Sequence, residues 1–202
     1  MGTRDDIISA ATDIMRTKGY ASATTKEIAR AAGYSEAALY KHFTDKTEIF
    51  LNVLQRQLPA LGTSLDELGE LVGQRTVAAN LAKVAATAIG FYAESFPISA
   101  SLFSSRALLD AHRERLAELD GGTGPRRPVD LLAGYLREEQ RIGRVAREAD
   151  PGAAAALLLG ACFQQGFLVN FEHGAASERR CADAATGLVE TLLTGLAPAE
   201  DG

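Results

Sequence analysis

The chain has 202 residues, of which 47% are hydrophobic and 23% charged, so it can bury a core and is neither disordered nor collagen-like. Only two cysteines occur, Cys162 and Cys181, which excludes a disulfide framework and a four-cysteine zinc site. The net charge of −5 argues against a broad nucleic-acid surface, although residues 1–50 hold as many basic as acidic residues and so permit a local one.

The beginning of the chain and one long apolar stretch bear on membrane association. Charged residues between Arg4 and Lys18 leave no apolar segment of the kind that secretory signals contain. Residues 151–171 are uncharged, but they include Gln164, Gln165 and Asn170, which favours a buried or dimer-forming helix over a membrane span. We therefore expect a soluble, cytoplasmic protein without a membrane partner.

Two short helices are predicted at the start of the chain. The first has Thr3 as its N-cap, carries apolar residues at helical spacing and stops at Gly19. The second opens with the capping-box pattern of residues 24–27, TTKE, and ends at Gly33, where a left-handed turn is expected.

Two further helices follow this turn. Ser35 is the predicted N-cap of a third helix over residues 36–43, which buries Leu39 and Phe43. Asp45, with Glu48 three residues later, begins a fourth helix at residue 46.

The remainder of the chain predicts longer helices. Pro59 ends or kinks the fourth helix, and the Phe96-Pro97 pair is expected to break the chain between two later ones. The predicted helices are residues 61–72, 76–94, 99–119, 129–146, 151–171 and 177–196, with a turn-rich loop at 120–128. Asp150 followed by Pro151 is a typical helix start. With no alternating strand pattern, the fold class is all-α, with about nine helices.

Residues 24–50, TTKEIARAAGYSEAALYKHFTDKTEIF, carry the functional signal. Two short helices joined through a glycine form a helix-turn-helix, which needs small residues where the helices cross and an apolar plug from the second helix. Ala29 and Ala32 supply the small residues, and Leu39 supplies the plug. The outward face then presents Tyr40 and its next two neighbours toward DNA.

This stretch resembles the N-terminal domain of TetR-family transcriptional regulators. The matching residues are Thr25, Ile28, Ala29, Ala32, Gly33, Ser35, Leu39, Tyr40, His42, Phe43, Lys46 and Ile49. The resemblance implies a three-helix DNA-binding domain over residues 1–48 and a larger helical effector-binding and dimerisation domain over residues 49–202. In the second domain the likeness is one of layout.

The resemblance also implies which residues face DNA. They are Thr25, Ser35, Glu36, Ala37, Tyr40, Lys41, His42 and Lys46. Thr25, Tyr40 and His42 would contact the sugar-phosphate backbone, Lys46 would clamp a phosphate, and Lys41 would donate to guanine O6 or N7. Glu36 and Ala38 depart from the family pattern. Glu36 could accept from cytosine N4 or simply repel phosphate.

Enzyme, metal and cofactor sites have little support in the sequence. The three histidines lie in separate segments without ligand spacing, so no metal is expected. Gly33-Tyr34-Ser35-Glu36-Ala37 mimics a serine-hydrolase elbow, but that elbow follows a strand and this one follows a helix. We expect neither catalysis nor a cofactor, and we interpret both cysteines as small buried apolar residues.

The last two predicted helices, residues 151–171 and 177–196, are rich in small residues that allow close helix approach. They suit a homodimer interface, with an intramolecular helix pair as the alternative. Aromatic residues cluster in the body near a glutamine, as in an apolar effector pocket or, alternatively, a solid core. The candidate ligand residues are Phe91, Phe96, Phe103, Tyr135, Phe163, Gln164 and Phe167.

These observations predict a dimeric, ligand-responsive transcriptional regulator. We expect a repressor that binds a near-palindromic operator and is released by a small apolar effector. The alternative is a helical dimer that acts through protein–protein interaction with little DNA binding.

Overall fold

The computed structural model describes residues 2–57, 59–120, 124–174 and 176–194. All regular structure within these ranges is helical, which confirms the all-α fold class. The α-helices are α1 (Thr3–Ser22), α2 (Thr25–Ala31), α3 (Glu36–Leu39), α4 (Lys46–Gln57), α5 (Pro59–Glu70), α6 (Val77–Ser99), α7 (Arg106–Asp120), α8 (Arg127–Arg141), α9 (Pro151–His173) and α10 (Glu178–Thr194). Short 3-10 helices span Ala100–Ser104 and Gly124–Arg126. The predicted end of the last helix, residues 195–196, lies outside the described residues.

The chain divides into two compact units. The first comprises Met1–Leu58 and Ser95–Gly124, and the second comprises Pro59–Glu94 and Pro125–Gly202. The division therefore falls inside α6, and the first unit gains a later segment of the chain. The functional boundary between residues 48 and 49 stays a prediction, because packing divides the chain differently.

The first unit buries the core that the helix-turn-helix prediction requires. Leu39 and Phe43 are both buried, as predicted, together with Ile28 of α2. The other large buried side chains of this core are Ile7, Ile8, Met15, Ile49, Phe50, Val53, Leu54, Ile98, Leu102 and Leu108. The segment 95–124 therefore completes the core around α1 to α4.

The first helix departs from prediction at both ends. Its N-cap is Gly2, and Thr3 is already helical, so the predicted cap is wrong. Gly19 has φ of 76° and interrupts the helix as predicted, but helical structure resumes and extends to Ser22. The kink allows the last turn to point its carbonyl groups at a neighbouring side chain, as shown below for Lys46.

The second unit packs α5, α6, α8, α9 and α10 around an apolar core. Cys162 and Cys181 are both buried in it, which confirms their interpretation as core residues. Burial raises the pKa of the Cys162 thiol to about 12. Since the thiolate is the reactive form, this side chain is inert near neutral pH.

A polar cluster lies within this apolar core. Glu139 of α8 is 0% exposed and accepts a hydrogen bond from the Gly73 amide at 3.2 Å. The Arg144 guanidinium lies 3.2 Å from the same carboxylate. Beside it, Asn80 donates to the Tyr135 hydroxyl at 3.0 Å, and burial raises the pKa of Tyr135 to about 12. The cluster joins the turn after α5 to α8 and to the turn that follows it.

Pro97 lies inside α6, so the predicted break at Phe96-Pro97 is wrong. A proline lacks the N–H that would donate to the carbonyl four residues earlier, here that of Ala93. Asn170 of α9 donates to this Ala93 carbonyl through its side-chain amide at 3.1 Å. The orphaned carbonyl therefore has a partner, and the helix continues to Ser99.

Gly166 marks the closest approach between α6 and α9. A Cβ atom at this position would lie 2.6 Å from the Tyr92 Cβ and 2.8 Å from the Ala93 nitrogen. It would also lie 3.0 Å from the Ile89 carbonyl oxygen. All three neighbours are backbone atoms or a Cβ, which have no other rotamer to adopt, so only glycine fits here without a shift of a helix.

Gly166→Ala should lower the free energy of unfolding by about 1–3 kcal/mol or more, because the added methyl overpacks a helix crossing. The matched control is Gly90→Ala in α6, where a Cβ meets nothing within 4 Å. That variant should be neutral or more stable by up to about 1 kcal/mol through helix propensity. Urea denaturation followed by circular dichroism measures both, and equal effects of the two substitutions would contradict the close approach.

Asn170→Ala should cost about 1–3 kcal/mol of stability, because it leaves the buried Ala93 carbonyl without its donor. In a Pro97→Ala background the restored N–H can take over that carbonyl, so the same Asn170→Ala change should cost less. Denaturation of the four proteins of this double-mutant cycle gives the coupling. A cost for Asn170→Ala that is independent of residue 97 would show that Asn170 does not compensate for the proline.

Candidate nucleic-acid interface

The turn between α2 and α3 has the geometry that the sequence predicted. Gly33 has φ of 82°, in the left-handed region that only glycine adopts at low cost. The Tyr34 N–H donates to the Ala29 carbonyl at 2.8 Å, and the Gly33 N–H donates to that of Arg30 at 3.1 Å. This pair of bonds is a Schellman motif, which ends α2 and turns the chain sharply into α3.

Both helices of the motif begin on the predicted caps. The Thr24 hydroxyl accepts from the Glu27 amide at 3.2 Å, and the Ser35 hydroxyl accepts from the Ala38 amide at 3.2 Å. The Glu27 carboxylate pairs with Lys18 of α1 instead of returning to the cap. Only half of the predicted capping box therefore forms, and the other half ties α2 to α1.

The second helix of the motif is shorter than predicted. α3 ends at Leu39, and residues 40–43 form a turn in place of the predicted last helical turn. The amides of Lys41 and His42 donate to carbonyls three residues earlier, at 3.2 and 3.0 Å, so the chain tightens here. The tightening leaves Phe43 buried while Tyr40, Lys41 and His42 face solvent, with Tyr40 51% exposed.

The structure brings three of the predicted DNA-facing side chains together. The Thr25 hydroxyl donates to Oε1 of Glu36 at 2.5 Å and lies 3.3 Å from the Tyr40 hydroxyl. Thr25 and Glu36 are half-buried as a result. Among the remaining predicted residues, Ser35, Ala37, Lys41 and His42 are exposed. The motif therefore presents one continuous outer surface from α2 to the turn after α3.

Lys46, the predicted phosphate clamp, is held by the first helix. Its ammonium group donates to the carbonyl oxygens of Tyr20 and Ala23, each at 3.0 Å. It also lies 4.2 Å from the centroid of the Tyr20 ring, within cation–π range. Two of its three N–H donors are thus engaged inside the first unit, and one remains for a phosphate.

Carboxylates also occupy donors at the start of α4. Asp45 accepts from the Glu48 amide at 2.8 Å, as the capping prediction requires. Glu48 accepts from the Thr44 amide at 2.6 Å and from the Thr44 hydroxyl at 2.9 Å. The two bonds from Thr44 to Glu48 were not predicted from the sequence, and they occupy two donors at the start of α4.

One supporting contact of the turn could not be found from the sequence. The Tyr34 hydroxyl donates to the Asp6 carboxylate at 3.0 Å and so fastens the turn to α1. The two residues are 28 positions apart, and no local pattern links them.

The predicted ligand residues divide between the two units. Phe96 and Phe103 belong to the first unit, and Phe103 is 79% exposed there. The other five are Phe91, Tyr135, Phe163, Gln164 and Phe167, all in the second unit. Of these, Tyr135 is a core residue of the polar cluster described above.

The structure brings Phe91 and Phe163 together through Tyr92, which the prediction omitted. The Tyr92 ring centroid lies 5.2 Å from that of Phe91 and 5.3 Å from that of Phe163, both in edge-on geometry. Burial raises the pKa of Tyr92 to about 12, with a smaller contribution from Cys162. Tyr92 belongs to the aromatic cluster that the sequence indicates in the body, although it is not among the candidate ligand residues.

Residues 7–53 match the family model described as bacterial regulatory proteins, tetR family. The activator FasR of Mycolicibacterium smegmatis is 41% identical over 58 residues, 29% of this chain and 26% of FasR. The nucleoid occlusion factor SlmA of a Marinomonas species is 27% identical over 73% of this chain and 67% of its own. A solved TetR-family regulator from Mesorhizobium loti has 25% identity and a TM-score of 0.69, covering 96% of each chain.

Lys46→Ala should lower the free energy of unfolding by about 1.5–3 kcal/mol in the absence of DNA, because hydrogen bonds from a charged donor are lost. Lys41→Ala is the matched control, since Lys41 is exposed, and it should change stability by less than about 0.5 kcal/mol. Thermal or urea denaturation of both variants decides the matter. Equal stability of the two would mean that Lys46 does not hold α1 in solution.

Proposed function

Because this chain belongs to the TetR family of bacterial transcriptional regulators, we propose that it binds a near-palindromic DNA operator as a homodimer and represses transcription until an effector binds. The observation that carries the proposal is the outer surface of the helix-turn-helix. Tyr40, Lys41 and His42 face solvent together on the tight turn after α3. A short element of this kind fits the major groove.

The roles of these side chains follow from their chemistry. The Lys41 ammonium group reaches a base edge and donates to guanine O6 or N7. Tyr40 and His42 contact the sugar-phosphate backbone and set the register. Lys46 uses its remaining N–H donor for a phosphate while its other two hold α1, so it contributes to affinity and to the shape of the unit.

The proposed dimer forms through α9 and α10. One side of α9 is buried in the second unit, but its other side carries exposed large apolar residues, including Leu157 at 67% exposed. The others are Phe163, Phe167 and Phe171. Among the described helices α9 alone has the length and composition to cross a membrane. A helix packed on one side and apolar on the other fits a protein interface between two copies.

The proposed effector is a small apolar molecule bound in the second unit near the rings of Phe91, Tyr92 and Phe163. Such rings supply apolar contact area, and the Tyr92 hydroxyl supplies a polar group for orientation. The effector acts by binding more tightly to the conformation that does not fit the operator. Coupling of about 1–3 kcal/mol is typical of such regulators.

A second candidate is a helical dimer that acts through protein–protein interaction with little DNA binding. The carboxylates of Glu36 and Glu48 favour it, because they take donors that DNA phosphates would use. Of FasR and SlmA, SlmA has the longer alignment, and it is named as a nucleoid occlusion factor rather than as a transcriptional regulator.

Selection of genomic DNA fragments by the purified protein, at two salt concentrations, separates the two candidates. The regulator should recover a few near-palindromic fragments and release them as salt rises, because bound phosphates displace counterions. No enrichment at low salt would contradict the proposed function and favour the second candidate.

In the same assay Lys41→Ala should lose about 1–3 kcal/mol of binding free energy on the selected fragments and much less on random DNA.

Leu157→Glu should convert the dimer to a monomer and weaken binding to selected fragments at least about tenfold, which corresponds to 1.4 kcal/mol. The change places a charge on the exposed face of α9, where it leaves the packing inside one protomer intact. Phe103→Glu is the matched control, because Phe103 is also a highly exposed apolar residue, at 79%, but lies in the first unit. Analytical ultracentrifugation reports the oligomeric state. A monomeric Phe103→Glu or a dimeric Leu157→Glu would contradict the proposed interface.

A further inference from the structure

The hydrogen bond between Thr25 and Glu36 joins two residues of the DNA-facing surface. The hydroxyl-to-carboxylate distance of 2.5 Å is that of a charge-assisted bond. Thr25 is the first residue of α2, and Glu36 is the first residue of α3. The bond therefore links the N-terminal ends of the two helices of the helix-turn-helix. Both side chains are half-buried, and the bond is accessible to an incoming duplex.

A threonine hydroxyl has one proton to donate. It cannot donate to the Glu36 carboxylate and to a DNA phosphate at the same time. The carboxylate therefore occupies the position of a phosphate oxygen on Thr25, and it repels a phosphate that approaches the same hydroxyl. Tyr40, whose hydroxyl lies 3.3 Å from that of Thr25, is part of the same contact.

We propose that Glu36 is a specificity-determining residue that competes with DNA phosphate for the Thr25 hydroxyl and releases that hydroxyl only where a cytosine N4 amino group donates to the carboxylate. This inference rests on the proposed function, because it concerns the same DNA-binding surface. It adds a base preference and a mechanism for rejecting other sequences.

Cytosine is the base whose major-groove edge suits a carboxylate. Its N4 amino group is a donor, and carboxylates accept from it. Adenine offers an amino group beside the N7 acceptor, while guanine and thymine present acceptors or a methyl group at that edge. On a sequence without cytosine at this position, the carboxylate either keeps its hydrogen bond from the Thr25 hydroxyl or stays unpaired near the phosphates. In either case the complex is weaker.

Two substitutions and their combination test the competition. Glu36→Ala should strengthen binding to random DNA about tenfold, equivalent to 1.4 kcal/mol, because the Thr25 hydroxyl then donates to a phosphate with no competing carboxylate. In a Thr25→Val background the same Glu36→Ala change should have little effect, since the contested hydroxyl is gone. Simple charge repulsion predicts instead an equal gain from Glu36→Ala in both backgrounds.

A matched control accounts for the lost negative charge. Glu27→Gln also removes one carboxylate from the motif, but that carboxylate pairs with Lys18 and does not touch Thr25. It should not show the dependence on Thr25. Glu36→Met provides a second variant of the test residue that keeps the length of the side chain but removes its carboxylate oxygens, and it serves if Glu36→Ala disturbs the fold.

The base preference is measured by repeating the fragment selection with the variants. The unmodified protein should select cytosine at one position in each half-site, and Glu36→Ala and Glu36→Met should lose that preference. An unchanged preference, or equal gains in both Thr25 backgrounds, would overturn this inference while leaving the proposed function intact. Failure of the unmodified protein to bind any DNA at low salt would overturn both.

Discussion

The left-handed backbone at Gly33 is the constraint on which the DNA-facing surface depends. It lets the Tyr34 amide reach back to Ala29 and end α2, and it sends the chain into α3 within a few residues. Any side chain at this φ is strained, so the turn needs glycine. The turn sets Ser35 as the next cap and so places Tyr40 on the outside and Leu39 inside. The shape of this surface therefore depends on the φ angle of Gly33 and on the packing of the core beneath it.

Electrostatics then decides how this surface can be used. The first fifty residues are balanced in charge, and several donors on the surface already serve the protein's own carboxylates. Long-range attraction to DNA is consequently modest, and phosphates must compete for local donors. In such a protein the base contacts carry more of the discrimination between sequences. Lys46 likewise serves the protein itself, because its ammonium group holds α1 as well as facing the proposed phosphate.

Local features of this fold could be predicted from the sequence, and long-range ones could not. The caps Ser35 and Asp150 and the turn at Gly33 depend on neighbouring residues, and the structure has them where the pattern placed them. α6 continues through Pro97, and the Ala93 carbonyl that the proline leaves without a donor is bonded by Asn170, 77 positions away, so a rule based on neighbouring residues predicted a break. α3 ends early because Phe43 must reach the core, which a local pattern does not encode. The candidate DNA residues were predicted as individuals, but the bond between Thr25 and Glu36 appears only when the two helices are packed.

Contact between operator DNA and the outer surface of α3 with its following turn would shield the lysines of that surface from chemical modification. The most direct measurement is the acetylation rate of each lysine, read by mass spectrometry, with and without a selected DNA fragment. Lys41 and Lys26 are exposed on the motif, while Lys83 is exposed on the second unit and serves as the internal reference. DNA should slow modification of Lys41 and leave that of Lys83 unchanged. An unchanged rate at Lys41 in a complex that forms would contradict this contact.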